Sequence, residues 1–348
     1  MTVQECQERN LAARAALARV EPGSGLQAIE SGVPEKIAFD TAVRRLCRSV
    51  GKVRPRVSLI IPTRDQATML QACIDSLMQW TQWPGLEIIV VDNDSCEAKT
   101  RTCFRKLEKQ GIRVLAMPGS FNFARLNNRA VAEASGEIVG LINNDIQALH
   151  AGWLDEMLGH LLQEGVGAVG AKLLWPNGMV QHGGVVLGIG NVAGHYGNLL
   201  HDDDWGDHAR NRVALQVSGV TAACLLLRKT DYVALGGMDE TAFPVAFNDV
   251  DLCLRLRAMG KAIVWTPHAR LLHAESASRG KEDTPQKKAR ARREVEQLRS
   301  RWGAQLLQDP FYHPCLSLDV HSHPFGGLAL PPRNRAPRSA IQITSVSQ

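Results

Sequence analysis

Three oxygen-bearing side chains follow an apolar run, and together they could hold a metal ion. Residues 138–142 are all apolar, and Asn143, Asn144 and Asp145 come directly after them. Carboxylate and amide oxygens are preferred ligands of hard divalent cations, which in turn bind the diphosphate of a substrate. Asn and Asp are also common turn residues, so a buried strand that ends in a polar turn is the alternative interpretation.

The segments around this motif alternate between predicted strands and helices. Apolar runs predict buried strands over 57–61, 86–91, 112–116, 138–142 and 168–173. Apolar residues at helical spacing predict helices over 68–80, 99–110, 124–134 and 152–162. This alternation indicates an α/β fold with a mostly parallel sheet and helices on both faces. Right-handed crossovers place the strand ends at one edge, so residues 62–65, 92–95 and 143–145 should meet there.

The rest of the chain divides around this central α/β domain, which we place at residues 56–280. Within it we also predict a strand over 213–228 with a polar interruption at 218–221, a helix over 248–259 and a strand over 262–265. Residues 1–55 are predicted to be a helical N-terminal extension, including a short helix over 40–50. Residues 281–323 are predicted to form a charged helix and a packing segment, followed by a disordered tail over 324–348.

Composition and charge narrow the class of protein. A formal net charge of +5 and a pI of about 8.8 suit anionic partners, but the charge is too diffuse to indicate nucleic-acid binding. The eight cysteines form no C-x-x-C pair, so neither a zinc site nor a redox motif is predicted. Without a signal peptide or an apolar stretch of membrane-spanning length, we expect a cytoplasmic protein. The basic residues 287–301 could provide peripheral contact with the inner membrane.

Six short motifs resemble those of the inverting family 2 glycosyltransferases, which have the Rossmann-like GT-A fold. They occur in the family's order within residues 56–280. They are PTRD at 62–65, VDNDS at 91–95, FNFA at 121–124 with NN at 127–128, NND at 143–145, NDVDLCLR at 248–255 and HAES at 273–276. Residues 309–318 are also similar to the end of bacterial surface-polysaccharide members of the family.

The resemblance implies a nucleotide site at the sheet edge. Asp92 would accept a hydrogen bond from the imide N–H of uracil or thymine, which implies a UDP- or dTDP-sugar donor; a turn or helix cap is the alternative for Asp92. The other implied donor-binding residues contact the base, ribose or phosphates, although Asn122 could equally cap a helix. They are Pro62, Thr63, Asp65, Asn122, Asn127, Asn143 and Asn144, with Arg279 as part of a lid over the diphosphate.

The resemblance also implies a divalent metal, Mn²⁺ or Mg²⁺. Asp145 matches the last acid of the family's D-x-D motif, whereas Asn143 replaces the first acid and brings no charge. His273 would be the second protein ligand, with a capping or core histidine as the alternative and Glu275 as a competing ligand. Mg²⁺ usually keeps several waters and binds phosphate oxygens, so few protein ligands suffice.

Asp249 matches the family's general base. An inverting transfer needs a carboxylate that takes the proton from the acceptor hydroxyl. Asn248 stands where the family often has Glu, and a first-turn acid favoured by the helix dipole is the alternative for Asp249. Arg255 could orient the base or pair with Asp251. Contacts with the acceptor or donor sugar are assigned to His182, Thr221 and Asp251.

Together these features predict metal-dependent, inverting transfer of a hexosyl group from a nucleoside diphosphate sugar to a glycan, a lipid-linked acceptor or a protein. One rival is a sugar nucleotidyltransferase, which usually has a Gly-rich loop after the first strand; residues 61–70 contain no glycine. The other rival is a degenerate transferase that acts as a binding or assembly module, because Asn143 and Asn248 replace acids.

Overall fold

The computed structural model describes residues 26–30, 44–48, 50–51, 54–198, 200–206, 209–274, 284–318 and 327–329. Its strands are β1 (Leu26–Glu30), β2 (Arg44–Arg48), β3 (Val57–Thr63), β4 (Leu86–Asp92), β5 (Arg113–Ala116), β6 (Ile138–Ile142), β7 (Ile146–Ala148), β8 (Val166–Leu174), β9 (Val180–His182), β10 (Val185–Leu187), β11 (Ala193–His195), β12 (Leu215–Gln216), β13 (Cys224–Arg228) and β14 (Ala262–His273). Its α-helices are α1 (Ala67–Trp80), α2 (Ala98–Lys109), α3 (Phe123–Glu133), α4 (Trp153–Leu161), α5 (Lys229–Ala234), α6 (Asn248–Ala258) and α7 (Pro285–Leu306).

A central ten-stranded sheet carries the fold in the described part of the chain. Its main path runs β12-β14-β8-β13-β6-β3-β4-β5, while β7 pairs with β14 and β9 with β8. Strands β5, β4, β3 and β6 are mutually parallel. Strand β13 runs antiparallel to both β6 and β8, which makes β6, β8 and β14 parallel to one another. The C-terminal ends of these parallel strands and the start of β13 therefore share one edge.

The two faces of the sheet are covered by different helices. Alternate residues of a strand point to opposite faces, so Leu59 and Ile61 of β3 pack in one apolar cluster and Ile60 in the other. Helices α1, α2 and α4 contribute to the first cluster, and α3 and α6 to the second. This confirms the predicted α/β architecture, although β13 is an antiparallel strand within the mostly parallel path and the short edge strand β12 is antiparallel to β14.

The C-terminal helix α7 packs on α6 and on the β10–β11 hairpin. Leu298 and Leu306 are buried in a cluster with Leu187, Val250 and Leu254. Helix α7 is 22 residues long but highly charged, and no helix among the described residues is long and apolar enough to cross a membrane.

Four predictions outside the central elements need correction or fall outside the described residues. The helix predicted over 40–50 is wrong for residues 44–48, which pair antiparallel with residues 26–30, because pairing with a distant segment is not encoded in the local spacing of apolar residues. Strand β14 continues to His273, well beyond residue 265. The strand predicted over 213–228 is two short strands. Most of the predicted disordered tail lies outside the described residues, but residues 327–329 pair with residues 315–317.

Candidate active site

Asp145 and His273 form a buried pair at the C-terminal edge of the sheet. Strand β7 pairs with β14 so that Ile146 lies opposite His273, and the Ala274 N–H donates to the Asp145 carbonyl over 3.1 Å. Two residues that are distant in sequence thus become neighbours. Asp145 Oδ1 lies 3.2 Å from His273 Nε2, and the two side chains are 4% and 8% exposed. We call this pair, with Asn143, the Asp145–His273 corner.

The hydrogen bonds around His273 leave one ring nitrogen for a ligand. His273 Nδ1 lies 2.5 Å from Gln181 Oε1, which only accepts hydrogen bonds, so Nδ1 carries the hydrogen in the neutral ring. Nε2 then carries a lone pair, which accepts a long hydrogen bond from Asn143 Nδ2 over 3.4 Å and is available to a ligand that displaces this donor. Metal-bound histidines typically donate their second N–H in this way.

The corner fits a divalent cation. Asp145 Oδ1 is buried and accepts no hydrogen bond, because His273 Nε2 carries no hydrogen when Nδ1 donates to Gln181. An unpaired buried carboxylate oxygen is costly unless a cation or another donor faces it. Within the described ranges no three His, Cys, Asp or Glu side chains are grouped for metal binding, so the corner supplies two such ligands. Glu275, the competing ligand, lies outside the described residues.

On the nucleotide side, Asp92 and Asp65 organise the loops after β3 and β4. Asp92 Oδ1 accepts the Ser95 N–H over 2.9 Å in a turn. Asp65 Oδ1 accepts the N–H groups of Cys96 and Glu97 at the start of α2. Asp65 therefore acts as a loop and helix-end anchor, while Asp92 Oδ2 accepts no hydrogen bond from the described residues and could face a base.

Thr63 and Asn144 connect the ends of β3 and β6. Asn144 Nδ2 donates to Thr63 Oγ1 over 2.9 Å, and both residues are about 5% exposed. Pro62 is also buried. These contacts hold two strand ends together directly beside Asp145, so the structure brings the predicted sheet-edge motifs into one place.

The predicted donor contacts on α3 are structural. Asn122 caps the helix by accepting the Arg125 N–H over 2.9 Å, and its Nδ2 donates to the Glu240 carbonyl. Asn127 is fully buried, and its Nδ2 donates to the Phe123 carbonyl. The capping interpretation of Asn122 is confirmed, and Asn127 faces the core because it lies on the inner side of α3. Arg279 lies outside the described residues.

Hydrogen bonds to one short stretch of backbone, residues 221–223, connect Asp249 with the Asp145–His273 corner. Asp249 stands in the first turn of α6, is partly exposed, and its Oδ2 accepts the Ala222 N–H over 3.0 Å. The next carbonyl, that of Ala223, accepts the Asn143 N–H over 3.0 Å. The start of β13 thereby fixes the position of Asp249 relative to the motif that ends β6.

His182 meets the same stretch of backbone. Its Nε2 accepts the Thr221 N–H over 3.3 Å, and the Thr221 hydroxyl accepts the Ala223 N–H. Burial, assisted by the nearby rings of His195 and His273, keeps the pKa of His182 well below its ordinary value. His182 is thus a neutral, fully buried residue that supports the wall of the site, and Thr221 is 9% exposed.

Asp251 does not face the site, so its assignment to a sugar contact is wrong. The side chain is fully buried, accepting Arg255 Nε over 2.7 Å on one oxygen and Arg301 and Trp302 on the other. The predicted pairing of Arg255 with Asp251 is confirmed. Asp251 follows Asp249 by two residues on α6, and its side chain is directed toward α7.

Two contacts of the site had no signal in the sequence. Gln181 lies 92 positions from the His273 that it orients, and a glutamine in a three-residue strand has no spacing that indicates this role. Ala222 contributes only its backbone N–H, which any residue other than proline would provide.

Comparison with known proteins decides the family. The family model described as Glycosyl transferase family 2 matches residues 58–232, just over half of the chain. The chain belongs to glycosyl transferase family 2. The matched region contains Asp92 and Asp145, while Asp249 and His273 follow it.

Curated relatives agree with this family. The chain is 48% identical over 271 residues to the uncharacterized protein y4gI of Sinorhizobium fredii, covering 76% of the chain and 29% of the relative. It is 37% identical over 238 residues to the O-antigen biosynthesis protein RfbC of Myxococcus xanthus, covering 67% of the chain and 18% of that relative. It is 28% identical over 239 residues to the pre-mycofactocin glycosyltransferase of Mycobacterium tuberculosis, covering 68% of the chain and 47% of that relative. The chain thus spans less than half the length of each of these relatives.

Solved structures show the same fold. The mannosyltransferase PcManGT from Pyrobaculum calidifontis, solved with GDP-Man and Mn²⁺, aligns with a TM-score of 0.52 at 19% identity over 73% of this chain and 65% of that one. GalNAc-T7, solved with UDP, GalNAc and Mn²⁺, aligns with a TM-score of 0.51 at 10% identity. The alignment covers 64% of this chain and 44% of that one. The GT-A fold predicted from the motifs is confirmed.

Proposed function

We propose that this family 2 protein transfers a hexosyl group from a nucleoside diphosphate sugar to a hydroxyl group of a glycan acceptor, with inversion. The observation that carries the proposal is the Asp145–His273 corner, where a buried carboxylate oxygen that accepts no hydrogen bond lies 3.2 Å from a histidine nitrogen without a hydrogen. We assign this chemistry to residues 56–280.

In the proposed mechanism, Asp145 and His273 would hold a divalent metal, and its charge would stabilise the leaving diphosphate. Asp249 takes the proton from the acceptor hydroxyl as that oxygen attacks the anomeric carbon of the donor. The bond between this carbon and the diphosphate oxygen breaks, and the electron pair leaves with the nucleoside diphosphate. The hydrogen bond from the Ala222 N–H to Asp249 orients the carboxylate for this step.

The identity of the donor and acceptor rests on weaker support. A free Asp92 Oδ2 would suit the imide N–H of uracil or thymine, which supports a UDP- or dTDP-sugar. The two structural neighbours were solved with GDP-Man and with UDP, so the shared fold does not select the base. The name of the O-antigen biosynthesis relative supports a surface-polysaccharide acceptor, including a lipid-linked one.

We propose to test the function with a panel of nucleotide sugars and Mn²⁺, measuring release of the nucleoside diphosphate. The wild type should turn over at least one donor, and Asp249→Asn should lose at least about a hundredfold in turnover. Asp249→Asn should keep its affinity for the nucleotide, because the base does not contact the diphosphate. Asp75→Asn, at an exposed position on α1, is the matched control and should retain full activity.

Three outcomes distinguish the alternatives. Unchanged turnover in Asp249→Asn removes this residue as the base. Binding of a donor by the wild type without any release of nucleoside diphosphate favours a degenerate binding module. Formation of a nucleotide sugar from a sugar phosphate and a nucleoside triphosphate favours a nucleotidyltransferase.

A further inference from the structure

A cavity of about 340 Å³ lies between helix α7 and residues 239–244, which precede α6. It shares no lining residue with the Asp145–His273 corner. Its volume is at the lower end of the range for small-molecule sites, which is about 300–1,000 Å³. The cavity is therefore a second concave site, large enough for a group the size of a sugar.

Within the described part of the chain, one arginine that lines the cavity has no carboxylate partner. Arg301 pairs with Asp239 over 2.7 Å, and Arg290 Nε lies 3.3 Å from Glu294 Oε2. Arg293 makes no ion pair with any described residue. Three guanidinium groups facing two carboxylates give this wall a net charge of one positive, which favours an anionic group.

Glu294 supports the inner wall of the cavity. It is 1% exposed, and its Oε1 accepts the N–H groups of Val245 and Ala246 over 2.7 and 3.1 Å. Its Oε2 is buried against Arg290 Nε at 3.3 Å, so this oxygen does not face a ligand. Gln297 and Thr241 line the same cavity and offer polar groups to the hydroxyls of a ligand. A bare anion would make no use of these two groups.

The cavity lies within reach of Asp249 along the chain. Pro244 lines it, and Asp249 is five residues later, so the two positions are at most about 18 Å apart. An acceptor of a few sugar units could occupy the cavity and still present a hydroxyl group to Asp249.

We propose that this cavity binds a negatively charged sugar unit of the acceptor glycan. The inference rests on the proposed function and extends it by naming the class of acceptor. Arg293, supported by Arg290, would bind the anionic group, because guanidinium groups match carboxylate and phosphate geometry. Gln297 and Thr241 would bind sugar hydroxyls. The anionic group is a uronate carboxylate or a phosphate, which present the same chemistry to arginine.

The test is a binding experiment without donor or metal, so it does not depend on catalysis. Glucuronate, glucose 1-phosphate, glucose and inorganic phosphate are titrated separately into the full chain, and the amide signals of Val245 and Ala246 and the Trp302 indole signal are followed by NMR. We expect glucuronate or glucose 1-phosphate to shift these signals at concentrations at which glucose and inorganic phosphate do not. The responding probe identifies a carboxylate or a phosphate.

A pair of neighbouring variants locates the binding. Arg293→Gln should weaken the affinity for the responding probe about fivefold to tenfold, since a charge-assisted hydrogen bond is lost. Arg292→Gln, at an exposed position outside the cavity, should change it less than about twofold. The Asp249→Asn variant should bind the probe as the wild type does.

The inference is overturned if glucose binds as well as its charged analogues, if inorganic phosphate binds as well as glucose 1-phosphate, or if Arg293→Gln and Arg292→Gln behave alike. It is also overturned if no probe binds while the wild type turns over a donor, and the proposed function then stands. Probe binding with inactivity toward every donor leaves the cavity assignment intact and contradicts the proposed function.

Discussion

At the scale of single residues, the candidate site depends on how His273 is held. Gln181 Oε1 fixes the hydrogen on His273 Nδ1, and the neighbouring Asp145 carboxylate faces Nε2. Groups that orient a metal-binding histidine contribute to affinity although they never contact the metal. Gln181 is therefore proposed as a positioning residue.

Replacing Gln181 should weaken metal binding in a specific way. Gln181→Leu should lower the affinity for Mn²⁺ in the presence of a nucleoside diphosphate by about tenfold or more, because the histidine ring loses its orienting acceptor. Gln181→Glu keeps an acceptor and should restore most of the affinity. Isothermal titration calorimetry measures the Mn²⁺ affinity of each variant. Gln305→Leu, at an exposed position near the end of α7, is the control. Equal Mn²⁺ affinity in Gln181→Leu and the wild type would exclude the positioning role.

At the scale of elements, α7 anchors the helix that carries Asp249. Asp251 of α6 accepts hydrogen bonds from Arg301 and Trp302 of α7, and Glu294 of α7 accepts two N–H groups of the segment before α6. The first turn of α6 is thus fixed from its buried side, while Asp249 in the same turn keeps partial exposure.

Removing the buried carboxylate of this junction should destabilise the fold. Asp251→Ala removes the buried acceptor that Arg255, Arg301 and the Trp302 indole N–H share, and we expect a loss of about 3–5 kcal/mol in the free energy of unfolding. Asp239→Ala removes the more exposed partner of Arg301 and should cost about 1 kcal/mol or less. Urea unfolding curves of the two variants provide the comparison. A cost for Asp251→Ala no larger than that for Asp239→Ala contradicts the anchoring role.

Glu87 of β4 connects the strands of the parallel half of the sheet. Burial opposes its ionisation, but hydrogen bonds from Ser58 Oγ, the Ser135 N–H and Arg113 outweigh burial and lower its pKa from 4.5 to about 2. Since the folded pKa is below the unfolded one, ionised Glu87 stabilises the fold above about pH 4.5, and this contribution is lost as the pH falls toward 2.

The pH dependence of stability should show this contribution. Between about pH 5 and pH 2.5 the wild type should lose up to about 2 kcal/mol more unfolding free energy than Glu87→Gln, which cannot ionise. Denaturant unfolding at several pH values gives the dependence of the unfolding free energy on pH for the wild type and for Glu87→Gln. Parallel pH profiles for the two proteins would show that Glu87 does not contribute.

At the scale of the whole molecule, local patterns predicted the elements and the shared edge but not the contacts between distant segments. Apolar runs located β3, β4 and β6, because buried parallel strands are continuously apolar. Periodicity does not encode direction, so the antiparallel β13 could not be recognised. The burial of Asp251 depends on Arg301, fifty positions later, and the contact between Asp145 and His273 depends on the three-residue strand β7.

The central claim is that the Asp145–His273 corner holds a divalent metal beneath the diphosphate of a nucleotide sugar. Its most direct test is the affinity for UDP and GDP with and without Mn²⁺, measured by calorimetry on the wild type, Asp145→Asn and the control Asp75→Asn. The account predicts that Mn²⁺ raises the wild-type and control affinity for at least one of them about tenfold or more, and that Asp145→Asn loses this increase. Wild-type affinities that are equal with and without Mn²⁺, or a full Mn²⁺ effect in Asp145→Asn, would contradict it.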